Sequence, residues 1–271
     1  MKNGAAAETA TTTTPKIIHE PQVYLVGRQD LDRAEIDRFL GDHGMNWETD
    51  TEVGGEQLIE AGGRLCYVSF GKGRKTNEEY IGNIIGRKHG SVLEHAAWNF
   101  IISGVSRTFT HELIRHRAGW AYSQLSQRYV DESDASYVEP TIIAEDPALH
   151  EIWQRAIETA HAAYLDLVGT LSAKLEAAGV KGTSRRKMAR EAARSVLPNA
   201  TETMIFCTVN ARALRHFIEL RGSEGAEAEI RRVAVQFLRL MQQEAPSVFG
   251  DYEILTLENG TEVTSTPNEK V

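Results

Sequence analysis

At Gly104 the hydrophobic period of the chain changes. AAWNFIISG (Ala96–Gly104) is aromatic and β-branched and reads as a strand. Immediately afterwards Ser106 is placed to cap a helix on which Phe109, Leu113 and His116 form one stripe. A second junction of this kind follows at TETMIFCTV, a strand running into ARALRHFIELR behind the capping residue Asn210. A strand that passes straight into a helix, twice, limits what the chain can build. VYLVG (Val23–Gly27) gives a further short strand. Helices are expected around Gln57–Leu65, through NEEYIGNIIGRKHGSV to near His89, and along the amphipathic stretch beginning at Pro147 and ended by Gly179. Thr183 is expected to cap a basic helix that stops before Pro198, and a last helix covers about Ala226–Glu244. Helices with a few non-sequential strands make the fold class α+β. The Ala/Thr-rich residues 1–20 and the closing residues 256–271 read as flexible tails around one catalytic domain, 21–255.

Composition removes several functions. The net charge of −8 argues against general nucleic-acid binding, so any anion site must be a local cationic pocket in an acidic chain. Two cysteines, Cys66 and Cys207, are too few for a disulfide framework and suit a reducing cytosol. Both fall in segments typical of buried thiols. No apolar run approaches the ~20 residues that span a bilayer, and the N-terminus lacks an apolar signal core. A cytoplasmic protein without membrane partners is expected. Neither dinucleotide nor mononucleotide glycine fingerprint occurs.

The densest chemistry lies in HELIRHRAGWAYSQLSQRY (His111–Tyr129). Its start resembles the zinc-protease helix, but His111 and His116 are five residues apart. On one helix they diverge by about 140°, so no metal site is expected. Arg115 and Arg117 read in two ways. Cations near a helix C-terminus gain ~0.3–1 kcal/mol from the macrodipole. Clustered hydroxyls, amides and a guanidinium in SQLSQR, beside forked cations, equally suit a phosphate and a heterocycle. On a helix ended by Gly119 the two arginines point about 200° apart and serve different ligand groups.

Leu214, Phe217 and Arg221 form a single helical stripe. A guanidinium on that apolar face is either paired with an internal carboxylate or aimed at a ligand. Arg212 and His216 form a separate face. By pattern alone His95, just before a strand, reads first as a structural histidine, and the row Arg186, Arg190, Arg194 reads as a solvated basic face.

Together these segments resemble the flavin-dependent thymidylate synthases. The family signature is R-H-R, a short spacer, then Ser; here it is Arg115-His116-Arg117, eight residues, then Ser126. GVSRTFTHELIRHR, YSQLSQRYV, ARSVLPNATET, VNARALRHFIELR and EIRRVA follow in the family's order, and the likeness covers roughly Val23–Tyr252. The resemblance implies a family-specific fold with a central, mostly antiparallel sheet, and a homotetramer with active sites between subunits. It implies FAD as cofactor, NADPH as reductant, methylenetetrahydrofolate as carbon donor, and conversion of dUMP to dTMP with release of tetrahydrofolate. By matched position, Arg115, His116, Arg117, Gln124, Asn210, Arg212 and His216 would contact FAD. His95 would sit by the flavin and the folate. Glu112, Arg115, Gln124, Leu125, Ser126, Gln127, Arg128, Arg194 and Arg221 would hold dUMP, with Arg221 facing the uracil. Two positions depart from the family pattern: the spacer exceeds the shortest known by one residue, and Ala97 stands where relatives often carry Ser or Thr near the flavin. Other readings of the same pocket are a different flavin-dependent pyrimidine-nucleotide transferase and a non-catalytic nucleotide-binding protein.

Overall fold

A computed structural model of the chain describes residues 15–271. In order, its elements are β1 (Ile17–Ile18), β2 (Gln22–Gly27), α1 (Arg33–Asp42), α2 (Gly54–Cys66), α3 (Asn77–Gly86), β3 (Ala97–Ser106), α4 (Arg107–Leu113), β4 (Trp120–Gln124), β5 (Tyr137–Val138), α5 (Thr141–Ala144) and α6 (Pro147–Ala177). There follow α7 (Gly182–Ala193), β6 (Glu202–Asn210), α8 (Ala211–Arg221), α9 (Ala228–Glu244), α10 (Pro246–Phe249), β7 (Glu253–Thr256) and β8 (Glu262–Ser265). Short 3₁₀ turns cover Gly90–His95 and Arg194–Val196. The fold is α+β with antiparallel sheet, and the described residues divide into two compact units: 15–19 with 126–202, and 20–125 with 203–271.

The larger unit is built on a four-stranded sheet of order β2-β3-β6-β4. β2 runs antiparallel to β3 with Tyr24 opposite Ile101, and β4 antiparallel to β6 with Trp120 opposite Val209 and Gln124 opposite Ile205. Side chains alternate along each strand. Trp98, Phe100 and Ile102 of β3, and Ile205, Cys207 and Val209 of β6, face one core with Leu214 and Phe217 of α8 and Val233, Phe237 and Leu238 of α9. Phe100 meets Phe237 edge-on, with ring centroids 4.8 Å apart.

Both strand-to-helix junctions are capped by the residues the sequence points to. Ser106 Oγ accepts from the Phe109 amide, and Asn210 Oδ1 from the Ala213 amide. Ser106 also donates its amide and hydroxyl to the buried Glu229 carboxylate. Burial raises the Glu229 pKa, and the Ser106 bonds work against that rise. In the smaller unit β1 pairs parallel with β5, and the 31-residue α6 starts from the cap Asp146.

Several expectations are corrected. Residues 1–14 lie outside the described residues, but Ile17–Ile18, inside the expected N-terminal tail, is a strand. The helix after β3 ends at Leu113 rather than at Gly119. Thr183 sits inside α7, whose N-cap is Lys181. α3 ends at Gly86, three residues before His89, where Lys88 turns the chain with φ +60°. Cys207 is buried as expected, but Cys66 is exposed at the last position of α2.

The C-terminal segment 256–271 is ordered, not a flexible tail. β7 and β8 form a hairpin, the Thr264 amide and hydroxyl donate to the carbonyls of Gly222 and Ile218, and Val271 is buried in the main core. The physical cause is Arg215. Its side chain, only 1% exposed, needs a counter-charge, and Asp251 supplies it through two bonds of 2.6 and 2.9 Å. Asp251 in turn accepts from Thr266 and Asn268 at 2.9 Å each, which ties the terminal segment to the core cation. Burial opposes these bonds, but together they leave the Asp251 pKa lowered. Replacing Asp251→Ala strands a buried guanidinium and should cost ~3–5 kcal/mol of stability in urea unfolding. Replacement of the exposed Glu258 should leave the midpoint within the error of measurement.

Candidate active site

The site begins where α4 stops. The amides of Arg115 and His116 donate three residues back, to Glu112 and Leu113, so the last turn tightens to 3₁₀ form and the helix cannot continue. The Tyr122 hydroxyl, from β4, lies 3.0 Å from the Leu113 carbonyl and 2.7 Å from that of His116, closing the turn from the sheet side. Burial raises the Tyr122 pKa well above the ordinary phenol range, so it remains a donor. Gly119, with φ +74°, carries the chain into β4; a Cβ there would lie 2.7–2.8 Å from Asn210 and Ala213. The turn is therefore pinned at both ends, and the helical angles expected between Arg115 and Arg117, and between His111 and His116, do not apply.

Arg221, at the end of α8, reaches this turn. Its Nε donates to His116 Nε2 at 3.0 Å and one terminal nitrogen to Glu112 at 2.8 Å. Of the two readings of Arg221, pairing with a carboxylate is met by Glu112, while the other terminal nitrogen has no protein acceptor among the described residues. Leu214 and Phe217 are buried on the same stripe, as their spacing predicts, and Arg221 is 18% exposed at its side chain.

His116 is neutral over the physiological range. Burial lowers its pKa to about 4, helped by the charges of Arg221 and Arg115 and by His216. Because Nε2 accepts from Arg221, the neutral ring carries its proton on Nδ1. The His116 ring also lies edge-on to Phe217, with centroids 5.2 Å apart.

Other expected residues divide between the two units. In the larger one, the Gln124 amide donates to Thr110 and Thr203 at 3.1 and 3.3 Å, and the Leu125 carbonyl accepts from Arg107 at 3.1 Å. His216 lies near His116, with ring centroids 6.1 Å apart. Arg212 pairs with Glu94. His95 is exposed and lies against α2, where a Cβ at Gly62 would come within 2.7 Å of its ring. The Ala97 amide donates to Gln29 at 2.6 Å. In the smaller unit Ser126 opens a turn by accepting from the amides of Tyr129 and Val130, and Arg128 pairs with Glu191. Gln127 is buried with its side-chain Nε2 unbonded. Arg194 is exposed, whereas Arg190 of the same row is tied to Asp131 and the Tyr129 carbonyl. Tyr122, Arg107, Thr110 and Thr203 were not singled out in the sequence. Only Tyr122 carried a signal, as a polar-tipped aromatic one alternation from Trp120.

In the larger unit, Arg115 and Arg117 are exposed and have no carboxylate partner among the described residues, a cationic pair able to meet an anion. In the smaller unit, the Gln127 amide is a buried donor without an acceptor.

Residues 49–247 match the family model described as thymidylate synthase complementing protein. A flavin-dependent thymidylate synthase of Mycolicibacterium gilvum is 51% identical over 226 residues, which cover 82% of this chain and 89% of the relative. The chain belongs to the flavin-dependent thymidylate synthases. Relatives of the same description include one from Mycobacterium avium, 50% identical over 84% of this chain and 92% of its own length. Among solved structures, the UMP/dUMP methylase PolB from Streptomyces cacaoi, bound with 5-Br dUMP, shares the fold. Its TM-score is 0.65 at 19% identity, covering 87% of this chain and 95% of that one. As a flavin-dependent thymidylate synthase the chain is an enzyme and a flavoprotein, and the R-H-R turn lies within the matched residues. No helix of the described residues is long and apolar enough to cross a membrane.

The depressed pKa of His116 has a definite sign. Between about pH 6.5 and 4 the unfolded chain binds a proton at this position and the folded chain does not. This group therefore contributes stability that is lost as pH falls through that window. Its ring resonances should keep the neutral Nδ1–H pattern from pH 8 down to about 5 in histidine-labelled NMR spectra. A His116 midpoint near the ordinary value would show that the Arg221 bond does not persist in solution.

Proposed function

We propose that the enzyme methylates dUMP reductively to dTMP, taking the carbon from methylenetetrahydrofolate and its reducing equivalents from NADPH through FAD. The sum balances: dUMP, methylenetetrahydrofolate, NADPH and a proton give dTMP, tetrahydrofolate and NADP⁺. The observation that carries the reading is the Arg221 guanidinium, held by Glu112 and a neutral His116 with one donor group left over.

Uracil C5 must become nucleophilic before it accepts a carbon. Electron density moves to C5 when negative charge develops at N3 and its flanking carbonyls. A guanidinium fixed beside those atoms stabilises that charge, and it does not titrate near neutrality. Glu112 keeps Arg221 aimed. The neutral ring of His116 adds no second cation that would compete for Glu112, and it offers Nδ1–H as a donor. Leu125 and Ser126 to Arg128, with Arg194, would hold the nucleotide, and Gln127 has the buried donor suited to it. Arg115, His116, Arg117, Gln124, Asn210, Arg212 and His216 would hold FAD, with His95 beside the flavin and the folate. At position 97 only a backbone contact is available to the flavin. Bound FAD supplies the hydride that completes the methyl group. Neither cysteine has the character of the attacking group. The Cys207 thiol is buried and pushed up to about 12, and Cys66 is not among the expected site residues.

The reading includes a cytoplasmic homotetramer with sites shared between subunits. It is supported by the face of the main sheet away from the core, where Tyr24, Val26, Met204 and Phe206 are exposed together, an apolar surface suited to burial against another copy.

Arg221→Ala should fold, bind flavin and lose ~10²–10³ in the rate of dTMP formation, as expected for a preorganised electrostatic donor. The assay is conversion of dUMP with methylenetetrahydrofolate and NADPH, with UMP as control. Wild-type protein that binds no flavin, or an Arg221→Ala variant with near-normal turnover, would sink the assignment.

A further inference from the structure

A second cationic feature lies outside the R-H-R turn. A cleft of about 640 Å³ opens at the C-terminal end of α2. Lys72 and Arg74 line it from one loop, and Arg87, Lys88 and His89 from the segment after α3; no Asp or Glu lines it, and the C-terminal carboxyl carbon of Val271 lies at its edge beside Gly90 and Arg212. In a chain of net charge −8 that is a strong local reversal. Lys72, Arg74, Arg87 and Lys88 make no ion pair among the described residues, whereas Arg212 at the cleft edge pairs with Glu94. Arg87 and Lys88 gain something from the end of α3. That does not account for Lys72 and Arg74.

The loop carrying those two residues is built, not loose. Arg64 of α2, only 3% exposed, donates to the carbonyls of Ser69, Lys72 and Arg74 at 2.8–3.1 Å and pairs with Glu60 at 2.7 Å. A buried cation thus holds the backbone from inside while the loop's own cations face outward. Gly71 and Gly73 supply the left-handed turns that this wrapping needs, with φ of +67° and +80°. The remaining wall is the start of the 3₁₀ turn Gly90–His95, which runs from the cleft to His95. α2 makes the same link: Gly63 and Cys66 line the cleft, and neighbouring Gly62 seats the His95 ring.

We propose that this cleft receives the oligo-γ-glutamyl tail of the folate co-substrate. The proposal rests on the reading that places folate beside His95. Cations on two walls, spaced along an open trough, match carboxylates strung along a chain better than they match a single phosphate.

The test uses the intact wild-type protein and unreactive tetrahydrofolate bearing one or five glutamates, titrated by calorimetry. The five-glutamate form should bind about tenfold more tightly, from several solvent-exposed ion pairs. The advantage should shrink as salt is raised. Lys72→Gln with Arg74→Gln, and separately Arg87→Gln with Lys88→Gln, should remove most of that advantage. The one-glutamate affinity and kcat should remain unchanged. Equal binding of the two forms by wild-type protein overturns the proposal, as does an advantage that survives both double variants. Variants that instead raise KM for NADPH but not for NADH would assign the cleft to the reductant's phosphate and overturn it too. Formation of dTMP with the one-glutamate donor is scored separately. If dTMP forms while tail length has no effect, the cleft proposal alone fails. If neither dTMP formation nor folate binding is found, the underlying reading fails with it.

Discussion

The larger unit converges on one guanidinium. Arg221 ends a helix whose other stripe residues, Leu214 and Phe217, are fully buried, so the side chain leaves the core edge at a fixed angle. It meets a turn made rigid by independent means: 3₁₀ hydrogen bonds from within, the Tyr122 hydroxyl from β4, and Gly119 beneath. β4 is placed by its antiparallel register with β6, and β6 runs directly into α8. The strand that clamps the turn and the helix that carries the cation are therefore set by one ladder. A register slip of one residue would turn Tyr122 and Trp120 to the opposite face and lose the clamp with the core.

Much of this was legible because the signals were local. Ser106 and Asn210 announce helix starts by capping chemistry, and both caps form. The stripe Leu214, Phe217, Arg221 states a helix face, and it also states that a cation must be paired there. What the sequence hid is tertiary. Nothing around His116 announces that α4 ends at Leu113, because the competing acceptor is claimed by a tyrosine nine residues on from Leu113. The terminal hairpin was hidden for a related reason. Its Thr- and Asn-rich composition resembles a tail, and only the burial of Arg215 gives those side chains something to bind. Cys66 shows the opposite error: a segment typical of buried thiols suggested burial, but the last residue of α2 is exposed.

Five arginines show how burial decides what a cation can do. Arg64 and Arg215 are almost wholly enclosed, and all of their bonded donors go to carbonyls and to the carboxylates of Glu60 and Asp251. Such a cation is structural, since freeing a donor for a ligand would leave a buried charge short of partners. Arg221 stands at the boundary. It has enough protein contact, through Glu112 and His116, to lose its rotamer freedom, and enough exposure to keep one group of donors for something else. Arg115 and Arg117 lie at the far end of the series, exposed and with no carboxylate partner among the described residues. They can follow a charged ligand but cannot orient it alone.

The pairing of Arg221 with a neutral imidazole follows from the same balance. If His116 were charged, the donor at Nε would face another donor, and Glu112 would be shared between two cations. Burial, to which Phe217 and Trp120 contribute, removes that possibility together with the charges of Arg221 and Arg115 and with His216, holding the His116 pKa at about 4. The guanidinium then keeps its full charge beside a dipole instead of a competitor, with one terminal nitrogen unbonded among the described residues. Aromatic rings packed against a histidine thus help to fix the electrostatics of the cation beside it.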